Sequence, residues 1–135
     1  MNNNNEQNIL LDDLILTGLA SYILRDKVIK NVLRHVNSTE LILDAGCGRG
    51  IYIHALENYN ILGIDVMVSK SDFIKNKFII ANVCNLPFKA EKFDCVLFIN
   101  VLHLVSNYQS AIKEMTRVLK TGGILIIVFV NNILS

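Results

Sequence analysis

The sequence predicts an α/β fold, a doubly wound parallel sheet with helices on both faces, and three observations carry the prediction. From Glu40 onward, short apolar runs alternate with stretches of helical periodicity, as strands buried on both faces and joined by helices require. In Leu43-Asp44-Ala45-Gly46-Cys47-Gly48-Arg49-Gly50, the end of a buried strand passes through a glycine turn into a helix. Polar residues then recur where apolar runs stop, at Asp65, Asn82 and Asn100. Those are strand carboxyl ends, where an open parallel sheet gathers its ligand-binding groups.

Taken in order, residues 1–7 are polar and expected to be disordered. Ile9, Leu10, Leu11, Leu14, Ile15 and Leu16 predict a short amphipathic helix over 9–16, with Asp12 and Asp13 toward water. Leu24, Val28, Ile29, Val32, Leu33 and Val36 predict a second over 22–36, ended by Asn37 and Ser38. Together these are N-terminal helices within 8–37. Strands are expected at 41–46, 61–65, 78–83, 94–99 and 123–130, and helices at 49–58, 69–76 and 107–119. The last helix has a stripe of Tyr108, Ala111, Ile112, Met115, Val118 and Leu119. Ser106 and Gln109 stand at capping-box spacing before it, and Gly122 and Gly123 are expected to end it.

Length and composition bound the class. One domain over residues 1–135 is expected, and 52% hydrophobic residues supply a large core for it. A net charge of +1 gives no reason to expect nucleic acid or an acidic membrane surface. Cys47, Cys84 and Cys95 are far apart, odd in number and without a C-x-x-C pair. Reduced thiols in a cytoplasmic protein, with no metal site, are expected from that. The Met-Asn-Asn-Asn-Asn opening lacks a signal peptide's basic start and long apolar run. No stretch approaches the roughly 18 apolar residues of a membrane helix.

The glycine turn points to a ligand. Gly46 and Gly48 permit a tight turn and close approach, Gly50 lets the helix pack near the strand, and the turn is expected to offer free N–H groups. Asp44, just before the first glycine, would repel a pyrophosphate and attract an ammonium or sulfonium. A dinucleotide fingerprint would need a third glycine at position 51, which is Ile. Asp65 lies 19 residues after Gly46, where a carboxylate can accept both hydroxyls of a ribose. An N-cap for the next helix is the alternative, and behind this glycine turn the ribose role is the expected one. Val66 and Met67 could face an adenine or belong to the core.

These residues resemble motif I of the class I S-adenosylmethionine-dependent methyltransferases, and later segments resemble the type 11 family, from Tyr22 to Val130. The resemblance implies a Rossmann-like sheet of strand order 3-2-1-4-5. It implies S-adenosylmethionine held by Asp44, Gly46, Cys47, Gly48, Gly50, Asp65, Val66, Met67, Asn82, Val83 and Asn100. Ala81-Asn82-Val83-Cys84-Asn85-Leu86-Pro87-Phe88 is similar to the family's adenine-reading segment, with Asn82 where Asp is usual. The amide keeps hydrogen bonding and removes a charge. Asn100 resembles the polar residue beside the methyl group. His103 matches the first position of a paired-histidine motif whose second position is Leu104 here. Asn100 and His103 are thus the catalytic candidates, the histidine serving an acceptor that must lose a proton. A lone His in an apolar turn is also an ordinary structural residue. Arg25 could reach the ligand carboxylate or stay solvated. Met115-Thr116-Arg117-Val118-Leu119-Lys120-Thr121-Gly122-Gly123 is similar to the junction leading into the fifth strand, with Thr121 for the usual Pro.

Family members continue past the fifth strand with a helix and two more strands, so a C-terminally truncated sheet lacking strands 6 and 7 is expected. Its apolar fifth strand would be an open edge. A homodimer or heteromer through that edge is expected. The acceptor is expected to be a small molecule, and a non-catalytic cofactor-binding or scaffolding subunit is the alternative.

Overall fold

The computed structural model describes residues 18–67, 77–99, 101 and 104–128. The helices expected at 9–16 and 69–76, and the candidates Asn100 and His103, lie outside the described residues. The elements are α1 (Gly18–His35), β1 (Leu41–Ala45), α2 (Ile51–Ala55), β2 (Asn60–Asp65), β3 (Phe78–Ile80), β4 (Phe93–Ile99), α3 (Tyr108–Val118) and β5 (Leu119–Val128). All ladders are parallel and the order is β3-β2-β1-β4-β5, as expected.

Alternation along the central strands builds two apolar layers. Ile42, Cys95 and Leu97 face α1 and α2, where they meet Val28, Val32, Val36, Ile53 and Leu56. Leu43, Ala45, Val96 and Phe98 face the other way, onto Ala111, Met115 and Val118 of α3. The four-residue spacing of Val28, Val32 and Val36 sets the buried stripe of α1. Leu33, expected in that stripe, turns outward and is 54% exposed. The β4–β5 register shifts between Phe93 and Cys95. That irregularity lets Phe93 join the α3 layer although strict alternation would place it opposite.

Three local expectations need correction. The cap of α3 is Asn107, whose side chain accepts from Ser110 N–H at 3.1 Å, in place of the Ser106 box. Asn caps as well as Ser and stands one residue nearer the helix. The helix stops at Val118 without a glycine, and Leu119 goes directly into extended backbone. Gly122, at φ 81°, instead serves the irregular start of β5. The third strand ends at Ile80, short of 83, because Asn82 folds into a local turn. Its Oδ1 accepts from Cys84 N–H at 2.9 Å.

Asp94 ties three strands together. Its Oδ2 accepts from Leu41 N–H at 2.9 Å and its Oδ1 from Lys120 Nζ at 3.1 Å. The Leu41 bond, chiefly, holds its carboxyl below the usual range. We expect Asp94→Ala to lose about 1–3 kcal/mol in urea unfolding, since it strands a part-buried N–H at the start of β1. A loss below about 0.5 kcal/mol, the size of an ordinary surface change, would contradict that role.

Candidate functional site

The strand ends converge on one cleft. Gly46 follows β1, Val66 follows Asp65 of β2, Ala81 and Asn82 follow β3, and Val101 follows Ile99 of β4. With Gly48, Val83, Cys84 and the segment Leu104, Val105 and Ser106 leading into α3, they line about 410 Å³. That is ordinary for a small-molecule site, roughly 300–1,000 Å³. Aliphatic side chains form most of the wall, and Asp65 and Asn82 stand out as polar points.

The glycine turn is knit to β2. Gly46 and Cys47 N–H both donate to the Ile64 carbonyl, at 2.8 and 2.9 Å, and Gly50 N–H donates to the Cys47 carbonyl at 2.9 Å. Gly48 N–H donates to Asp65 Oδ2 at 2.9 Å. The expectation of free amides is therefore corrected at these four positions: β2 runs alongside and supplies the acceptors for Gly46, Cys47 and Gly48, and the turn itself supplies that for Gly50. Gly46 sits at φ 78°, and a Cβ there would stand 2.8 Å from Val101 Cγ1. Backbone conformation and the neighbouring wall both demand glycine.

Asp65 is positioned from both sides. Besides Gly48, Met67 N–H donates to its Oδ1 at 3.2 Å. The second bond is the short local turn typical of an Asp after a strand. Each carboxylate oxygen accepts one of these bonds and can accept another, so local capping and ribose binding are compatible.

Asp44 is the buried acid of the site. It is 2% exposed, and its Oδ2 has no hydrogen-bond partner. Burial pushes its carboxyl up to about 7, with the charge of Asp65 adding to the push. The same surroundings act on its neighbours. Burial, then Asp44 and Asp65, push the Cys47 thiol up to about 12, so it stays protonated and is a poor nucleophile. Burial and Asp44 push the Tyr52 hydroxyl up to about 12 against the opposing charge of Arg25. A buried acid beside a second acid is costly by itself and becomes favourable when a cation enters.

The expected site residues separate into three groups. Gly46, Gly48, Asp65, Val66, Asn82 and Val83 border the cleft together. Asp44, Cys47 and Gly50 lie in or under the turn, and the Cys47 side chain packs in the core beside Ile53. Met67 is 74% exposed and does not line the cleft. Sequence reasoning did not select Ala81, Cys84, Ile99, Val101, Leu104, Val105 or Ser106 as binding residues. Their signal was position beside strand ends, since an aliphatic wall residue reads like core. The donor set suits a ligand with a cation near Asp44, a diol at Asp65 and a flat apolar body between Val66 and Val83. S-adenosylmethionine has those parts.

Residues 43–127 match the family model described as a methyltransferase domain. An uncharacterised protein of Methanocaldococcus jannaschii is 43% identical over 93 residues, 67% of this chain and 41% of that protein. The tRNA (carboxymethyluridine(34)-5-O)-methyltransferase of Arabidopsis thaliana is 34% identical over 101 residues, 70% of this chain and 25% of that protein. The crystal structure of the [4+2]-cyclase SpnF matches with a TM-score of 0.68 at 28% identity, covering 79% of this chain and 44% of that one. The chain thus spans less than half the length of these proteins. Among the described residues, no helix is long and apolar enough to cross a membrane.

The raised Asp44 carboxyl predicts a pH signature for the ligand-free protein. The folded state keeps this proton to a higher pH than the unfolded chain. Stability therefore falls as pH rises from about 4 to about 7 and stays lowered above that. Asp44→Asn removes the effect, and unfolding curves should show the variant gaining on wild type by up to about 4 kcal/mol between pH 4 and pH 8. Parallel pH dependences for the two proteins would contradict the assignment.

Proposed function

Because the chain belongs to the methyltransferase-domain family, we propose that it catalyses S-adenosylmethionine-dependent methyl transfer to a nucleoside of tRNA. The buried Asp44 carboxyl beneath the glycine turn, whose Oδ2 has no partner, carries the cofactor half of this reading. A buried acid whose ionised form is disfavoured in the empty site favours a cationic ligand, which stabilises that form. Asp65 accepts the ribose hydroxyls, held in place by the Gly48 and Met67 amides. Asn82 has Oδ1 engaged by Cys84 N–H, so its NH₂ is the group available to donate to an adenine ring nitrogen. Val66, Val83 and Val101 shield the sugar and base from water.

When bound, the cofactor supplies a methyl group on a positively charged sulfur. Catalysis by this chain is then chiefly positioning: it holds the acceptor in line and keeps the surroundings apolar. Cys47, protonated and packed in the core, takes no part as a nucleophile. Asn100 and His103 remain our candidates for orienting the acceptor and receiving its proton.

The acceptor half rests on the relative from A. thaliana, named for tRNA carboxymethyluridine at position 34. The expectation of a small-molecule acceptor stood beside a net charge of +1, which gave no reason to expect nucleic acid. That charge decides little, because the chain covers 25% of that relative and RNA-holding surface can lie elsewhere. A second reading, cofactor binding without methyl transfer, is favoured by the likeness to a [4+2]-cyclase, whose reaction moves no methyl group. Association through the outer edge of β5, which among the described residues pairs only with β4, completes the proposal.

Titration calorimetry should show S-adenosylmethionine binding, weakened roughly 10–100-fold by Asp65→Ala through loss of two hydroxyl contacts. Transfer of labelled methyl to tRNA lacking its own modifications is expected, and His103→Ala should slow it. Labelling of small metabolites alone would overturn the acceptor, and binding without any transfer would favour the second reading. Sedimentation should show a dimer that Ile127→Lys at the β5 edge dissociates; a wild-type monomer at micromolar concentration would remove that part.

A further inference from the structure

We propose that Glu114 and Arg117 are positioning residues for the adenosine end of the cofactor, acting through the backbone of the loop after β3. The proposal rests on the reading that the cleft holds an adenosyl ligand. The loop 82–88 supplies the Asn82, Val83 and Cys84 part of the cleft and has little regular structure of its own. What holds it is α3. At the helix start, Cys84 Sγ donates to the Asn107 carbonyl at 3.5 Å. Along the helix, Val83 and Leu86 pack in the same apolar cluster as Ala111, Met115 and Val118. One turn from its end, a charged pair grips the loop backbone.

The grip engages both head groups. Arg117 Nε and Nη2 donate to the two Glu114 oxygens at 2.8 and 2.9 Å. Two further donors go to loop carbonyls, Nη1 to Phe88 at 2.8 Å and Nη2 to Leu86 at 3.1 Å. Glu114 Oε2 in turn accepts from Leu86 N–H at 2.8 Å. Leu86 is thus held by its N–H and its carbonyl, four residues from Asn82. The planar fork of Arg makes this geometry, which the point charge of a Lys does not reproduce. The Glu114 side chain is 18% exposed and that of Arg117 36%, and four of the five guanidinium N–H donors have partners. Neither residue borders the cleft, so any effect on binding must travel through the loop.

The test compares S-adenosylhomocysteine with 5′-methylthioadenosine, which keeps the adenosine and lacks the amino-acid end. Calorimetry on the full chain would use wild type, Arg117→Met, Arg117→Lys and Glu114→Gln. Both Arg117 variants should weaken the two ligands by the same factor, roughly 10–50-fold, as expected when a binding wall is misplaced by a fraction of an ångström. Glu114→Gln should give a smaller loss of the same kind. Hydrogen exchange at the Asn82–Phe88 amides should quicken in every variant that folds. If Arg117→Met fails to fold, Glu114→Gln decides by the same two readings. Folded variants that bind methylthioadenosine within twofold of wild type would overturn the proposal and leave the cofactor reading intact. Wild type that binds neither ligand would overturn both.

Discussion

The structure turns on one uncomfortable group, a carboxylate enclosed in the centre of a parallel sheet with one oxygen unpartnered. Asp44 stands in β1 between β2 and β4, opposite Gly63 and Leu97. A neutral aliphatic residue there would be more stable in the ligand-free fold. A cation bound beside it would offset that cost. The raised carboxyl is the energetic trace of its burial.

The surrounding geometry lets this acid work. Gly63 keeps β2 slim where Cys47 and Ile53 press in, since a Cβ there would lie 2.7 Å from Cys47 Sγ. That packing draws the turn down over the strand end. Ile64 and Asp65 then bind its amides, so the second acid is fixed by the same contacts that shape the turn. One carboxylate lies below the turn and one beside it. The cleft therefore has a polar end near Asp44 and Asp65 and an apolar end between Val66, Val83 and Leu104, matching a ligand with one charged and one flat end.

Much of this was legible in the sequence because strand ends carry their own chemistry. Near-continuous apolar strands announced a parallel sheet, and Asp44, Gly46, Gly48, Asp65 and Asn82 stood out against them. The engagement of the turn amides was hidden, since it depends on how β2 lies beside β1. The shortened third strand, the Asn107 cap and the glycine-free end of α3 were missed for a related reason. Competing local hydrogen bonds decide such ends within a residue or two. The cleft wall was invisible for another: Val101, Val105 and Leu104 differ from core residues only in where the chain places them. Glu114 and Arg117 were likewise unreadable, because their loop partners are backbone groups 28 to 31 residues earlier.

The central claim, that a cationic adenosyl ligand completes Asp44, is tested most directly by proton release on binding. S-adenosylmethionine would be titrated near pH 7 in two buffers of different ionisation heat, with wild type and Asp44→Asn. With the free carboxyl near 7, the account predicts that wild type releases about half a proton more than the variant. Equal proton exchange in the two proteins would contradict it.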